Sequence, residues 1–123
     1  MKRTILVVDD SPTIVKFVAL SLRSSGYEVV TATDGMDAIE KVSGMKGDID
    51  LIITDLNMPN LDGYGLISTL RSNAQYLKTP IIILSSEEGQ DDRERGMQVG
   101  ASSYLVKPFK SSLLLDEVGK FLS

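Results

Sequence analysis

The stretch ILVVDDSP, residues 5–12, sets four consecutive apolar residues against two adjacent carboxylates and then a serine and a proline. Ile5 to Val8 is too short and too β-branched for a helix, so it reads as a strand buried on both faces. Asp9 and Asp10 end it. Ser11 suits a helix N-cap and the Pro12 ring suits the first helical position. Beyond them Ile14, Phe17, Val18 and Leu22 line one helical face, and Gly26 closes that helix.

Working outward, Leu51 to Ile53 and Ile81 to Leu84 repeat the short apolar run, each ending in polar residues. Glu28 to Ala32 and Ser103 to Val106 mix apolar and polar residues, as edge strands do. Helices fit Met36 to Val42, Tyr64 to Arg71 and, weakest, Gln90 to Val99, whose sizeable apolar residues are Met97 and Val99 beside Gly96. This last helix is expected to be marginally held. Leu114, Val118 and Phe121 mark a final helix. Asn60, Asp62 and Gly63 read as turn and helix-start residues, Met45, Met58 and Met97 as packing, and Ser72 to Thr79 as the longest loop. Strands alternating with helices predict an α/β fold, a doubly wound parallel sheet with right-handed crossovers and helices on both faces.

At 123 residues the expectation is a single domain, 1–123, with no room for a second. Apolar residues make up 42% and charged residues 24%, in the range of a packed globular protein. No apolar run approaches the roughly twenty residues of a membrane span, and the start lacks a secretory signal, so the cytoplasm is the expected location. Without cysteine there is no disulfide or thiolate chemistry, and without histidine the commonest general base and transition-metal ligand are missing. A net charge of -4 with no basic cluster argues against nucleic acid as a partner.

Ligands of such sheets bind outside the carboxyl ends of the strands. Asp9 and Asp10 end the first strand, Asp55 the third and Ser85 the fourth, and the fifth runs into Lys107-Pro108. This topology gathers Asp9, Asp10 and Asp55 in one shallow pocket, with Ser85 and Lys107 on its rim. Three like charges need a cation, and an all-oxygen, histidine-free set suits a hard ion such as Mg2+, with Mn2+ as an alternative. A metal beside a carboxylate suggests phosphoryl transfer: Asp55, lying between the acidic pair and the Ser and Lys strand ends, attacks phosphorus, while the metal and Lys107 neutralise the phosphoryl oxygens. The donor must lie outside this chain, which has no histidine.

ILVVDDSP (5–12), DLIITDLNMPNLDG (50–63), PIIILSS (80–86) and GASSYLVKPF (100–109) together resemble response-regulator receiver domains, closest to the stand-alone CheY-type regulators. The resemblance implies a flavodoxin-like (βα)5 fold with strand order 2-1-3-4-5. It implies Asp55 as phosphoacceptor, metal oxygens from Asp9, Asp10, Asp55 and the Asn57 backbone carbonyl, and phosphoryl contacts from Ser85 and Lys107. It further implies a cis Lys107-Pro108 bond, Ser85 and Tyr104 as switch residues, and Asn57 and Glu87 as residues tuning autodephosphorylation. The implied partners are a sensor histidine kinase or phosphotransfer protein as donor and a downstream protein on the face made by the helix Gln90 to Val99, the last strand and the last helix. The implied oligomeric state is a monomer or a phosphorylation-dependent dimer, and chemotaxis is among the pathways admitted. Ser85 moving toward the phosphoryl group is expected to let Tyr104 turn inward.

Two other readings compete. Aspartate-nucleophile phosphatases place carboxylates similarly, but their pair is separated by one residue whereas Asp9 and Asp10 are adjacent. A phosphorylation-independent interaction module would not need the full set of Asp9, Asp10, Asp55, Ser85 and Lys107.

Overall fold

The computed structural model describes residues 2–45, 48–86 and 89–122. Among them five strands and five helices alternate: β1 (Thr4–Val8), α1 (Pro12–Ser24), β2 (Glu28–Ala32), α2 (Gly35–Met45), β3 (Leu51–Thr54), α3 (Gly63–Arg71), β4 (Ile81–Ser85), α4 (Gln90–Val99), β5 (Ser103–Val106) and α5 (Ser111–Leu122). All pairings are parallel and the strand order is 2-1-3-4-5, with β2 and β5 at the edges. No described helix is long and apolar enough to cross a membrane.

The apolar runs are continuous because each strand feeds two cores. Side chains alternate across a strand. Ile5, Val7, Leu51, Ile53, Ile82 and Leu84 therefore face α1 and α5, packing with Val18, Leu22, Leu114 and Val118. Leu6, Val8, Ile52, Ile81 and Ile83 face the other way, against Ala38 and Val42 of α2 and Leu66, Ile67 and Leu70 of α3.

Local signals place the helices. Ser11 caps α1 by accepting from the Ile14 N–H, Gly26 follows its end at a φ of 93°, and Asp62 caps α3 by accepting from the Gly65 N–H at 2.8 Å. Helix α2 runs three residues beyond the expected Val42 to Met45, which falls on the same helical face as Val42. Met45 and Met58 pack on the core as expected. Met97 does not: it is 44% exposed, because α4 meets the sheet through Gly96, whose backbone lies so close that a Cβ there would sit 2.7 Å from the Ile83 Cδ1.

The Ser72 to Thr79 connection is the long loop expected, but Tyr76 within it is buried and donates its hydroxyl to the Val42 carbonyl at 3.2 Å. Arg71 pins the loop. Its guanidinium donates to the carbonyls of Tyr76 at 2.7 Å, Leu77 at 3.1 Å, Thr79 at 2.7 Å and Gly100 at 2.9 Å, tying the end of α4 to the end of α3. Truncation would strip several carbonyls of a charged donor. Arg71→Ala is expected to destabilise the fold by about 2–4 kcal/mol in urea unfolding, well beyond a surface substitution.

Candidate functional site

Strand register assembles the site. Val8 pairs with Thr54, so the next residues, Asp9 and Asp55, leave adjacent strands side by side, and the Asp55 N–H donates to the Val8 carbonyl at 2.9 Å. Ser85 pairs with Val106 one strand further on, and the Lys107 N–H donates to the Ser85 carbonyl at 2.8 Å. The Lys107-Pro108 peptide is cis.

Asp9, Asp10 and Asp55 each offer a carboxylate oxygen within 4.8 Å of the others. Asp9 and Asp55 are buried and Asp10 is exposed, so the cluster opens to solvent on one side. Two of the three are oriented by backbone: Asp9 Oδ1 accepts from the Ser11 N–H at 2.9 Å, and Asp55 Oδ1 from the Leu56 N–H at 2.8 Å. Lys107 Nζ bridges the pair, 2.7 Å from Asp9 Oδ2 and 3.6 Å from Asp55 Oδ2. Lys107 thus meets the carboxylates themselves, beyond the phosphoryl contact expected of it.

Burial pushes the Asp55 carboxyl above its ordinary 3.8, and Asp9 and Asp10 push the same way, against the opposing pull of Lys107 and of the Leu56 N–H. Desolvation wins because one ammonium cannot offset a buried carboxylate and two like neighbours. Three carboxylates facing one ammonium leave two negative charges, the charge of one divalent ion. The donors are hard oxygens only, which fits Mg2+.

The other expected residues fall around this cluster. Ser85 is fully buried at the end of β4, and Asn57 is exposed two residues after Asp55. Tyr104 lies in β5 with its ring already inward, 6% exposed, under the Arg93 guanidinium at 4.9 Å from the ring centroid, so the inward turn expected of it has no outward position to start from in this structure. Glu87 lies outside the described residues.

Two groupings were not read from the sequence. Tyr64 of α3 donates its hydroxyl to Asp92 Oδ1 at 3.2 Å while the Arg95 guanidinium covers its ring at 3.9 Å. Burial and Asp92 push the Tyr64 hydroxyl up to about 12. Asn60, assigned only to a turn, donates to Asp34 at 2.7 Å across 26 residues of sequence, a separation no local pattern signals.

Comparison with known proteins places the chain in a family. The family model described as the response regulator receiver domain matches residues 5–119. Protein PilG of Pseudomonas aeruginosa is 39% identical over 114 residues, covering 93% of this chain and 83% of PilG. Several transcriptional regulators also match, and the chain spans about half of their length. Among solved structures, the Vibrio cholerae chemotaxis protein CheY4 superposes with a TM-score of 0.92 at 37% identity, over 98% of this chain and 99% of that one. The receiver domain of the Pseudomonas aeruginosa sensor histidine kinase PA1611, which has a magnesium ion coordinated in its active site cleft, gives 0.90 at 33% identity, over 99% and 98% of the two chains.

A carboxyl raised by folding binds its proton more tightly in the native state. Its contribution to stability is present below 3.8 and is lost as pH rises through the native value. In magnesium-free buffer at pH 7, Asp55→Asn should therefore melt a few degrees above the wild type, with the gap narrowing toward pH 4. Added Mg2+ should raise the wild-type midpoint and leave the variant nearly unmoved.

Proposed function

Because this chain belongs to the response regulator receiver domain family, we propose that Asp55 is its phosphoacceptor, working in the cytoplasm with a protein phosphodonor and a protein target. The single observation that carries this is the meeting of Asp9, Asp10 and Asp55 within 4.8 Å, with Lys107 bridging the two buried members.

An Asp55 oxygen attacks the phosphorus of a phosphohistidine on a sensor kinase or phosphotransfer protein. The P–O bond forms as the P–N bond breaks, and the imidazole leaves with a proton. Lys107 turns from the carboxylates toward the incoming phosphoryl oxygens, and the Ser85 hydroxyl donates to another. The carboxylates of Asp9, Asp10 and Asp55 and the Asn57 backbone carbonyl would hold Mg2+, or Mn2+ in its place, which supplies charge neutralisation on the phosphoryl oxygens when bound. Hydrolysis reverses the state: water attacks phosphorus, the acyl phosphate P–O bond breaks, and Asp55 is restored with release of phosphate. Asn57 and Glu87 tune that step. The chain is a switch that turns over its own phosphoryl group, with no external substrate to process.

The readout element is α4, on the face it forms with β5 and α5. Its first turns carry Gln90, Asp91, Asp92 and Arg93, and among the described residues no side chain caps its start at Gly89. It is held by two arginine-on-tyrosine contacts and the Tyr64 bond to Asp92, together about 2–3 kcal/mol. Charge-assisted bonds to a phosphoryl group are worth about 1.5–3 kcal/mol each, and reversing a 1:99 equilibrium needs about 5.5 kcal/mol. Two or three phosphoryl contacts therefore suffice to move α4, through Ser85 and the Tyr104 ring, which lies against Gly96 and Arg93 of that helix. Oligomeric change, from monomer to dimer, would follow on this face.

Incubation with acetyl phosphate and Mg2+ should add one phosphoryl group per chain, seen by intact mass, and Asp55→Asn should add none. Labelling of Asp55→Asn equal to the wild type would refute the assignment. Replacing both clamps, Arg93→Gln with Arg95→Gln, should speed amide exchange in α4 while leaving β1 and β3 as protected as before.

A further inference from the structure

β2 and β3 flank β1, and the loop after β2 grips the loop after β3. The Asn60 amide donates to Asp34 Oδ2 at 2.7 Å, and the Gly35 N–H donates to the Leu61 carbonyl at 3.1 Å. A Cβ on Gly35 would lie 2.4 Å from that carbonyl oxygen, so the approach requires glycine. Between Asp55 and α3 the chain turns sharply. The Leu61 N–H donates to the Pro59 carbonyl at 2.7 Å around Asn60, whose φ is 68°. A three-residue turn of this kind, with positive φ at its centre, is rare and strained, and it persists only where its surroundings hold it. Asp34 supplies that hold. Its Oδ1 is engaged by the Asp37 N–H at 2.8 Å at the start of α2, which aims Oδ2 at Asn60.

The base of the same loop is also fixed. The Gly63 N–H donates to the Leu56 carbonyl at 2.9 Å, and a Cβ on Gly63 would lie 2.2 Å from the Asp55 carbonyl oxygen. The Leu56 N–H in turn holds Asp55 Oδ1. Asn57 thus lies between a fixed base and a tip whose conformation depends on Asp34.

We infer that Asp34 and Asn60 are positioning residues for phosphoryl acceptance: their hydrogen bond fixes the tip of the 56–63 loop and with it the direction of the Asn57 carbonyl beside Asp55. The inference rests on the reading of Asp55 as acceptor and Asn57 as a metal donor. The pair is exposed, so it adds little to global stability and its effect falls on the geometry of its loop.

The test is Mg2+ affinity, measured by amide chemical-shift titration of the full chain without phosphodonor, in Asn60→Asp, in Asp34→Asn with Asn60→Asp, and in the wild type. Asn60→Asp sets two carboxylates against each other. By charge alone the added carboxylate would tighten a nearby cation site, so weaker binding reports lost geometry. Roughly tenfold weaker Mg2+ binding is expected, as for loss of a group supporting a metal ligand. Adding Asp34→Asn recreates an amide-to-carboxylate bond at the wild-type net charge, and asparagine still caps α2. Affinity should return to within about twofold of the wild type, a recovery that only a direct pair interaction produces. Unchanged or tighter binding in Asn60→Asp, or no recovery in the double variant, overturns the inference and leaves the role of Asp55 intact. So does a shift in melting temperature without a change in affinity. A wild-type chain that binds no Mg2+ removes both.

Discussion

Three carboxylates at the ends of two neighbouring strands repel one another, and the fold has to tolerate that repulsion with two of the three buried. Parallel register forces it: once Val8 pairs with Thr54, the next residues on β1 and β3 are both aspartates. Lys107 relieves part of the charge from β5's end, reaching Asp9 at 2.7 Å. What remains is an anionic pocket suited to a small, highly charged cation and to a group that arrives with it. The buried carboxylate of Asp55 is costly in the native state chiefly because it is poorly solvated.

The two faces of the sheet serve that pocket differently. The face carrying α1 and α5 is closed by ordinary apolar packing around Val18, Leu22, Leu114 and Val118. The other carries α2, α3 and α4, with less apolar material in α4 than in its two neighbours. Helices α2 and α3 still bury aliphatic stripes. Helix α4 buries chiefly Gly96, and polar contacts to two tyrosines hold its outer turns. An element held this way, with few buried apolar contacts, opens at lower free energy than one seated in a deep apolar socket. Arg71 secures the other end by fastening Gly100 to the 76–79 segment.

The sequence made the sheet, its central and edge strands and the acidic cluster legible because these follow from period-two burial and from which residues terminate strands. Gln90–Val99, Glu28–Ala32 and Ser103–Val106 match the structure end to end. The limits of α2 were not legible, since Asp34 caps its start one residue before the expected Met36 and Ser43 and Gly44 interrupt the apolar pattern before Met45 resumes it. Met97 was misassigned to packing because a lone apolar residue on a polar helix does not reveal its direction. The Asp34–Asn60 and Tyr64–Asp92 bonds join residues 26 and 28 apart through side chains with many alternative partners. Only the folded arrangement selects among those partners.

The polar attachment of α4 bears on how such a domain diverges. Its exposed side chains take little part in either core, so most can be exchanged without reworking the packing beneath β4 and β5. Duplicated copies of the gene could thus acquire separate binding preferences by drift on one helix while inheriting unaltered chemistry at the strand ends. Insulation between parallel signalling lines would then need few substitutions, all on a surface whose variation the fold barely registers.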